Sequence, residues 1–236
     1  MAEFINGLSP RVYLEPFCGY AWVGERVRCP RRYFSDLNEN VVLMWQELLK
    51  GWKPPTKVSE EEYVRLKNLT EPSALRGFVG TVCAFGGGFF NTYARDKKDK
   101  TKNFAAQGAR QFARRIHGLK GAVFTLQDYR SAMDSVDADV CYLDPPYANT
   151  SGYVGVEPFD SAKFWDEVRR RSDGKRRILV SEYQAPKDFT VVFTTYSRMG
   201  LSTKAEVGLQ KELREERVFE YNPPKGRRMV AFGTLF

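Results

Sequence analysis

The chain has 236 residues, 42% of them hydrophobic and 28% charged, with 37 Lys and Arg against 29 Asp and Glu for a net charge of +8. No apolar run is long enough to cross a bilayer and the first residues lack a basic-then-apolar signal pattern, so a soluble, cytoplasmic protein with no membrane partner is expected. A single histidine, His117, leaves a His-based catalytic triad little support, and the spacing of Cys18, Cys29, Cys83 and Cys141 fits no compact zinc site, so no metal is expected.

In chain order, Val12–Leu14 reads as a short buried strand that runs into the turn Glu15-Pro16-Phe17-Cys18-Gly19. Residues 33–36 form a second strand ending on Asp36. Apolar residues at helical spacing from Val41 to Leu49 then predict a helix, capped by Asn38 or Asn40. Lys53-Pro54-Pro55 breaks the pattern. Ser59, with Glu62 three positions on, opens a further helix, and three glycines at 86–88 lie between aromatic residues. A helix around Gln107–Ile116 closes a region, 51–121, that reads as a helical insertion in an α/β core formed by 1–50 and 122–236.

The core resumes with a strand at Ala122–Leu126 near Asp128, then one at 139–143 that leads into Asp144-Pro145-Pro146-Tyr147. A helix at Ser161–Arg171 precedes a strand at Arg177–Ser181. Further strands are expected at Thr190–Tyr196 and Glu216–Tyr221, with an edge strand at Met229–Phe236. Apolar strands alternating with helices predict a mostly parallel sheet covered on both faces. Glu15, Asp36, Asp128 and Asp144 all fall at strand ends, where such sheets bind ligands. Each of the first three acids reads either as a cap or turn residue or as part of a binding site.

Asp144-Pro145-Pro146-Tyr147 carries the sharpest chemistry. Two prolines remove two backbone donors, so the strand end presents acceptors: the Asp144 carboxylate and the Pro145 carbonyl. A planar ligand whose NH2 must donate two hydrogen bonds fits that group, and Tyr147 follows as a ring to stack on it. The N6 amino group of adenine is such a donor. On the cofactor side, Glu15 to Gly19 would wrap a methionine part, Asp36 would accept from ribose hydroxyls and Asp128 would face an adenine amino group. Cys18 reads as a small buried thiol. Four basic clusters, at Arg26–Arg32, at Arg95 with Lys97, Lys98, Lys100 and Lys102, at Arg110–Arg115 and at Arg169–Arg177, read either as solvated faces or as phosphate-binding surfaces.

At these residues the sequence resembles the Dam-type DNA adenine methyltransferases (the D12 class), especially the small phage-borne members. Glu15-Pro16-Phe17-Cys18-Gly19 resembles their first motif, Phe34-Ser35-Asp36-Leu37-Asn38 their ribose-binding acid, and Asp144-Pro145-Pro146-Tyr147 their catalytic motif. Phe89-Phe90-Asn91-Thr92-Tyr93-Ala94-Arg95 is similar to part of their target-recognition region, and Ser181-Glu182-Tyr183 with Pro186 to a later segment.

The resemblance implies a Rossmann-like S-adenosylmethionine-dependent methyltransferase sheet with a mostly helical target-recognition insertion. It implies S-adenosylmethionine as cofactor, and transfer of its methyl group to N6 of a flipped adenine in double-stranded DNA. It assigns catalysis to Asp144, Pro145, Pro146 and Tyr147, and cofactor binding to Glu15, Pro16, Phe17, Cys18, Gly19, Asp36 and Asp128. DNA contact falls to Asn91, Tyr93, Arg95, Lys97 and Lys98, and the loop from Ala148 to Phe159 is expected to fold over the base.

Two departures stand out: no glycine–lysine segment precedes Tyr13, and Tyr20-Ala21-Trp22-Val23 replaces a glycine-rich continuation. They predict an open side to the cofactor pocket, to be completed by a homodimer or a partner chain. The competing readings are a DNA-binding protein on a methyltransferase frame and an amino-methyltransferase for another base.

Overall fold

The computed structural model describes residues 1–86, 88–96, 99, 101–146, 159–198 and 213–222. In chain order the elements are α1 (Ala2–Gly7), β1 (Val12–Glu15), β2 (Arg31–Asp36), α2 (Glu39–Leu49), α3 (Glu60–Asn68), α4 (Ala74–Val82), β3 (Ala84–Phe85), β4 (Thr92–Tyr93), α5 (Phe104–Arg115), β5 (Val123–Leu126), α6 (Tyr129–Ser135), β6 (Val140–Leu143), α7 (Ser161–Arg171), β7 (Arg177–Glu182), β8 (Phe189–Arg198) and β9 (Leu213–Tyr221). The expected edge strand at 229–236 and most of the loop from 148 to 159 lie outside the described residues.

One seven-stranded sheet has the order β5-β2-β1-β6-β7-β9-β8. The pairs from β5 through β7 are parallel, and β9 runs antiparallel between β7 and β8. Alternate residues of the central strands feed two separate cores. Tyr13, Val140, Tyr142 and Leu179 join one, while Val12, Leu14, Cys141, Leu143, Ile178 and Val180 join the other. That is why β1 and β6 are apolar at nearly every position: both faces are covered. The first core takes in α2, α4 and α5 through Trp45, Phe78 and Phe112. The second takes in α6 and α7 through Met133, Phe164 and Trp165.

The caps follow local chemistry. The Asn38 side chain accepts from the Asn40 backbone N–H at the start of α2. Ser59 accepts from Glu62 at the start of α3, although the Glu62 carboxylate turns outward to Arg65 rather than back to the cap.

The region 51–121 holds the expected helices and, in addition, the short β3–β4 hairpin around the glycine run. It also shares the sheet's core. Helix α4 lies against α2 so closely that a Cβ on Gly77 would stand 2.1 Å from the Asn40 carbonyl oxygen. Buried Arg76 closes the C-terminal end of α3, donating to the carbonyls of Leu66, Thr70 and Glu71, where a cation also meets the negative end of the helix dipole.

Candidate active site

Strands β5, β2, β1 and β6 are adjacent and parallel, so their carboxyl ends open on one edge of the sheet. Glu15 and Asp36 are the last residues of β1 and β2, Asp144 follows β6 directly, and Asp128 stands two residues beyond β5. From β1 the chain builds outward to β2 and β5 on one side and to β6 and β7 on the other. The reversal lies between β1 and β6, the place where open α/β sheets leave a crevice. Glu15 and Asp144 flank it.

Glu15 is buried and accepts from the Tyr13 hydroxyl at 2.7 Å and from the Gly24 backbone N–H. Burial pushes its carboxyl up to about 8; the Tyr13 and Gly24 hydrogen bonds oppose the shift, and the nearby Asp144 charge adds to it. Between its ordinary value of 4.5 and about 8, the folded protein holds a proton that the unfolded chain releases. The stability that this proton supplies is complete below the lower value and is lost as pH rises through the upper one. Glu15→Gln is therefore expected to flatten the fall of the thermal midpoint between about pH 5 and pH 9, as followed by calorimetry. An unchanged slope would show that Glu15 does not carry it.

Gly24 sits where only a glycine fits. A Cβ there would lie 2.2 Å from the Phe34 ring and 2.4 Å from Glu15 Oε2, and Phe34 is fully buried. Gly24→Ala is expected to cost about 1–3 kcal/mol, the range for overpacking a tight core, read as a shift in the urea midpoint.

The turn after β1 is held by its backbone. The Cys18 N–H donates to the Ser35 carbonyl at 2.9 Å, and the Gly19 carbonyl accepts from Trp45 Nε1 at 2.8 Å. Asp36 uses one carboxylate oxygen for the Gly19 N–H and the other for the Asn38 N–H, both at 2.9 Å. Burial raises its carboxyl above the usual range, against the pull of these amides. Gly19 has φ +40° and nothing within 4 Å of where a Cβ would stand, and Ala21 also takes a positive φ of 51°. Pro16 continues the strand end into this turn. Cys18 is buried, and burial pushes its thiol well above the ordinary value, an inert setting for the sulfur.

Phe17 stacks on Tyr129 at 5.2 Å and meets Phe159 and Phe164 edge-on, each at 6.1 Å. Asp128 caps α6, accepting from the Arg130 N–H and from Arg130 Nε. In the Asp144-Pro145-Pro146-Tyr147 motif, Asp144 is exposed, Pro145 buried and Pro146 half-buried; Tyr147 lies outside the described residues.

The residues assigned to DNA contact hold the hairpin together. The Tyr93 hydroxyl donates to the Val58 carbonyl at 2.7 Å, the Asn91 carbonyl accepts from Lys67, and Arg95 pairs with Glu60. Lys97 and Lys98 fall outside the described residues. The basic cluster at 169–177 is spent on internal partners: Arg169 on Asp188, Arg170 on Glu167, Arg171 on Asp134 and Glu167, Arg176 on the Met133 carbonyl and Arg177 on Glu220. The arginines of this cluster are thus held within the fold, and Lys175 is exposed.

The stretch before Tyr13 has a structural task of its own. Ile5 of α1 is fully buried, and the Asn6 side chain ties to the Arg26 carbonyl and the Arg28 N–H, bracing the turn that follows Gly24.

A doubly wound sheet with carboxylates at four adjacent strand ends, one of them followed by two prolines, is the Rossmann-like frame of methyltransferases that use S-adenosylmethionine as methyl donor. The family model for D12 class N6 adenine-specific DNA methyltransferases matches residues 77–212, more than half of the chain, and the chain belongs to that family. The matched span contains Asp144-Pro145-Pro146, and Glu15 and Asp36 precede it.

No curated protein sequence matches the chain. Among solved structures, it is similar to TrmN from Thermus thermophilus, with 13% identity over 93% of this chain and 48% of the other and a TM-score of 0.38. It is also similar to an rRNA methylase from Streptococcus thermophilus, with 7% identity over 94% of both chains and a TM-score of 0.38. A conserved hypothetical protein from Streptococcus pyogenes shows 8% identity over 89% of this chain and 86% of the other, with a TM-score of 0.36. The chain spans about half the length of TrmN. Among the described residues, no helix is long and apolar enough to cross a membrane.

Proposed function

We propose that the chain methylates N6 of an adenine in double-stranded DNA, with the base flipped out of the duplex into the crevice between the ends of β1 and β6. The observation that carries this reading is the exposed Asp144 carboxylate at the end of a fully buried strand, beside Glu15 and at the reversal of the sheet order. The family description names the same atom and the same nucleic acid.

Bound S-adenosylmethionine supplies an electrophilic methyl group. The residues at the strand ends fit it by their chemistry. Glu15 stands at the end of β1 on the methionine side, Asp36 at the end of β2 is the acceptor for ribose hydroxyls, and Phe17 with Tyr129 and Asp128 borders the adenine side. Pro16, Cys18 and Gly19 complete the turn around the methionine part. On the substrate side, the N6 lone pair is delocalised into the purine ring and is weakly nucleophilic. The Asp144 carboxylate and the Pro145 carbonyl accept its two hydrogens and draw electron density back onto nitrogen. Pro146 holds the strand end rigid and Tyr147 stacks on the base. With the methyl donor bound, the carbon–sulfur electron pair would stay with sulfur as the N–CH3 bond formed, and Asp144 would take up the surplus proton from N6.

The test is mass spectrometry of nucleosides after incubation with S-adenosylmethionine and either unmethylated duplex DNA or RNA of the same sequence. N6-methyladenine from the duplex is the expected product. Modification of the RNA alone, or of cytosine, overturns the reading.

A further inference from the structure

The segment leaving β1 and one face of α5 form a groove that the reaction above does not use. One cleft of about 220 Å³ has Tyr20 and Trp22 facing Phe104, Gln107 and Gln111 of α5. A second cleft, of about 280 Å³, lies further along the same helix, where Arg114 and Arg115 face Glu25 and Arg26. Positions 107, 111 and 114 of α5 follow helical spacing and share one face, and Arg110 falls on the same side of the helix. The twelve residues of α5 run about 18 Å, roughly five phosphate spacings along a duplex strand. Glycines bring the walls together: a Cβ on Gly108 would meet Val82 at 2.3 Å, and one on Gly118 would meet the Glu25 carbonyl oxygen at 2.6 Å.

Three independent features give the groove its chemistry. Arg110 and Arg114 are exposed and, among the described residues, form no ion pair, unlike Arg169, Arg170, Arg171 and Arg177. Arg115, with its side chain only 6% exposed, binds Glu25 and the Tyr20 carbonyl, yet its Nη1 has no acceptor. Such a buried donor is costly until an acceptor oxygen reaches it. Trp22 keeps 45% of its surface exposed while lying 4.0 Å from the Arg115 guanidinium.

We propose that this groove is a second nucleic-acid contact, in which Arg110 and Arg114 hold the phosphate backbone of duplex DNA beside the target adenine and Trp22 with the Gln107 and Gln111 amides meets a base. The inference rests on the DNA reading above. The wall residues Tyr20, Trp22, Glu25 and Arg26 belong to the segment that leaves β1, in which the buried Gly24 hydrogen-bonds Glu15. A cationic rim with an open aromatic ring suits phosphates and bases better than an apolar protein partner.

The experiment measures fluorescence anisotropy of a labelled, adenine-containing duplex over a series of salt concentrations, alongside calorimetric titration with S-adenosylmethionine. The proteins are the parent, Arg110→Glu/Arg114→Glu and Trp22→Ala. The double variant is expected to bind the duplex at least about tenfold more weakly, with the log–log salt slope reduced by about two and cofactor affinity unchanged. Trp22→Ala is expected to weaken binding several-fold at an unaltered slope. If the parent methylates the duplex and the double variant retains it with the same affinity and slope, the groove proposal falls and the function stands. If the parent binds S-adenosylmethionine but neither retains nor methylates the duplex, both fall. Parent self-association that the variants abolish, at unchanged duplex affinity, assigns the groove to a second copy and overturns the proposal.

Discussion

Asp144→Ala is expected to lower kcat for methyl transfer by at least about 10²–10³-fold, the scale for removing one preorganised charge-stabilising group, with little change in S-adenosylmethionine affinity. The side chain is exposed at the rim of the crevice and neighbours Glu15 closely enough to raise its carboxyl, so its loss leaves the sheet intact. Asp144→Asn keeps one acceptor oxygen but gives up the charge that draws density onto N6, and should fall between the parent and the alanine variant. Transfer from labelled cofactor, with nucleoside mass spectrometry of the product, measures both. Parental turnover in Asp144→Ala would remove Asp144 from the mechanism.

Arg115→Met is expected to destabilise the fold by about 1–3 kcal/mol, the cost of leaving buried acceptors unsatisfied, with Glu25 keeping its second partner Arg26. Arg115 and Glu25 have side chains only 6% and 8% exposed. The guanidinium also binds the Tyr20 carbonyl and lies over the rings of Trp22 and Trp45 at 4.0 and 5.4 Å. It therefore fastens the turn after the first motif to α5. Urea denaturation measures the loss. Arg114→Met, one position away and exposed, serves as the control and should stay within about 0.5 kcal/mol of the parent. Equal midpoints for the two variants would show that the buried pair carries no net stability.

Short-range signals were the most legible in the sequence. Asn38 and Ser59 cap as expected because a cap depends on residues two or three positions away. The carboxylates of Glu15, Asp36 and Asp144 reach one edge because each ends a strand whose apolar run is plain. Asp144-Pro145-Pro146 lies within the span that the family model matches.

What stayed hidden depends on distant partners. The arginines at 169–177 look like a phosphate-binding stripe until Asp134, Asp188 and Glu220 come in from other elements to neutralise them. Asp36 stands ready for a ligand in one dimension, whereas in the fold its two oxygens first hold the Gly19 and Asn38 amides. Asp128 likewise serves as a helix cap. The segment 51–121 reads as a helical insertion in an α/β core, and nothing local reveals that Gly77 brings α4 onto the Asn40 carbonyl. Helix α1 escaped notice because its contribution rests on one buried residue, Ile5, and on Asn6 reaching across to Arg26 and Arg28. Glu25 gave no signal, since its partner Arg115 lies 90 positions further on.

The placement of β9 bears on how the protein is made. Strand β7 finds its outer neighbour not in β8, which follows it, but in β9, with Val180 opposite Phe219 and Glu182 opposite Arg217. During synthesis the parallel half of the sheet leaves the ribosome with one flank of β7 unsatisfied, and that flank stays open until residues 213–221 emerge. An unpaired edge of Val180, Ser181 and Glu182 is a template for pairing with another nascent chain. Closing it early with β8 would give the wrong order. Folding to the native topology thus waits on the late arrival of β9, and interrupted translation products that end before it should be the species that chaperones and proteases have to clear.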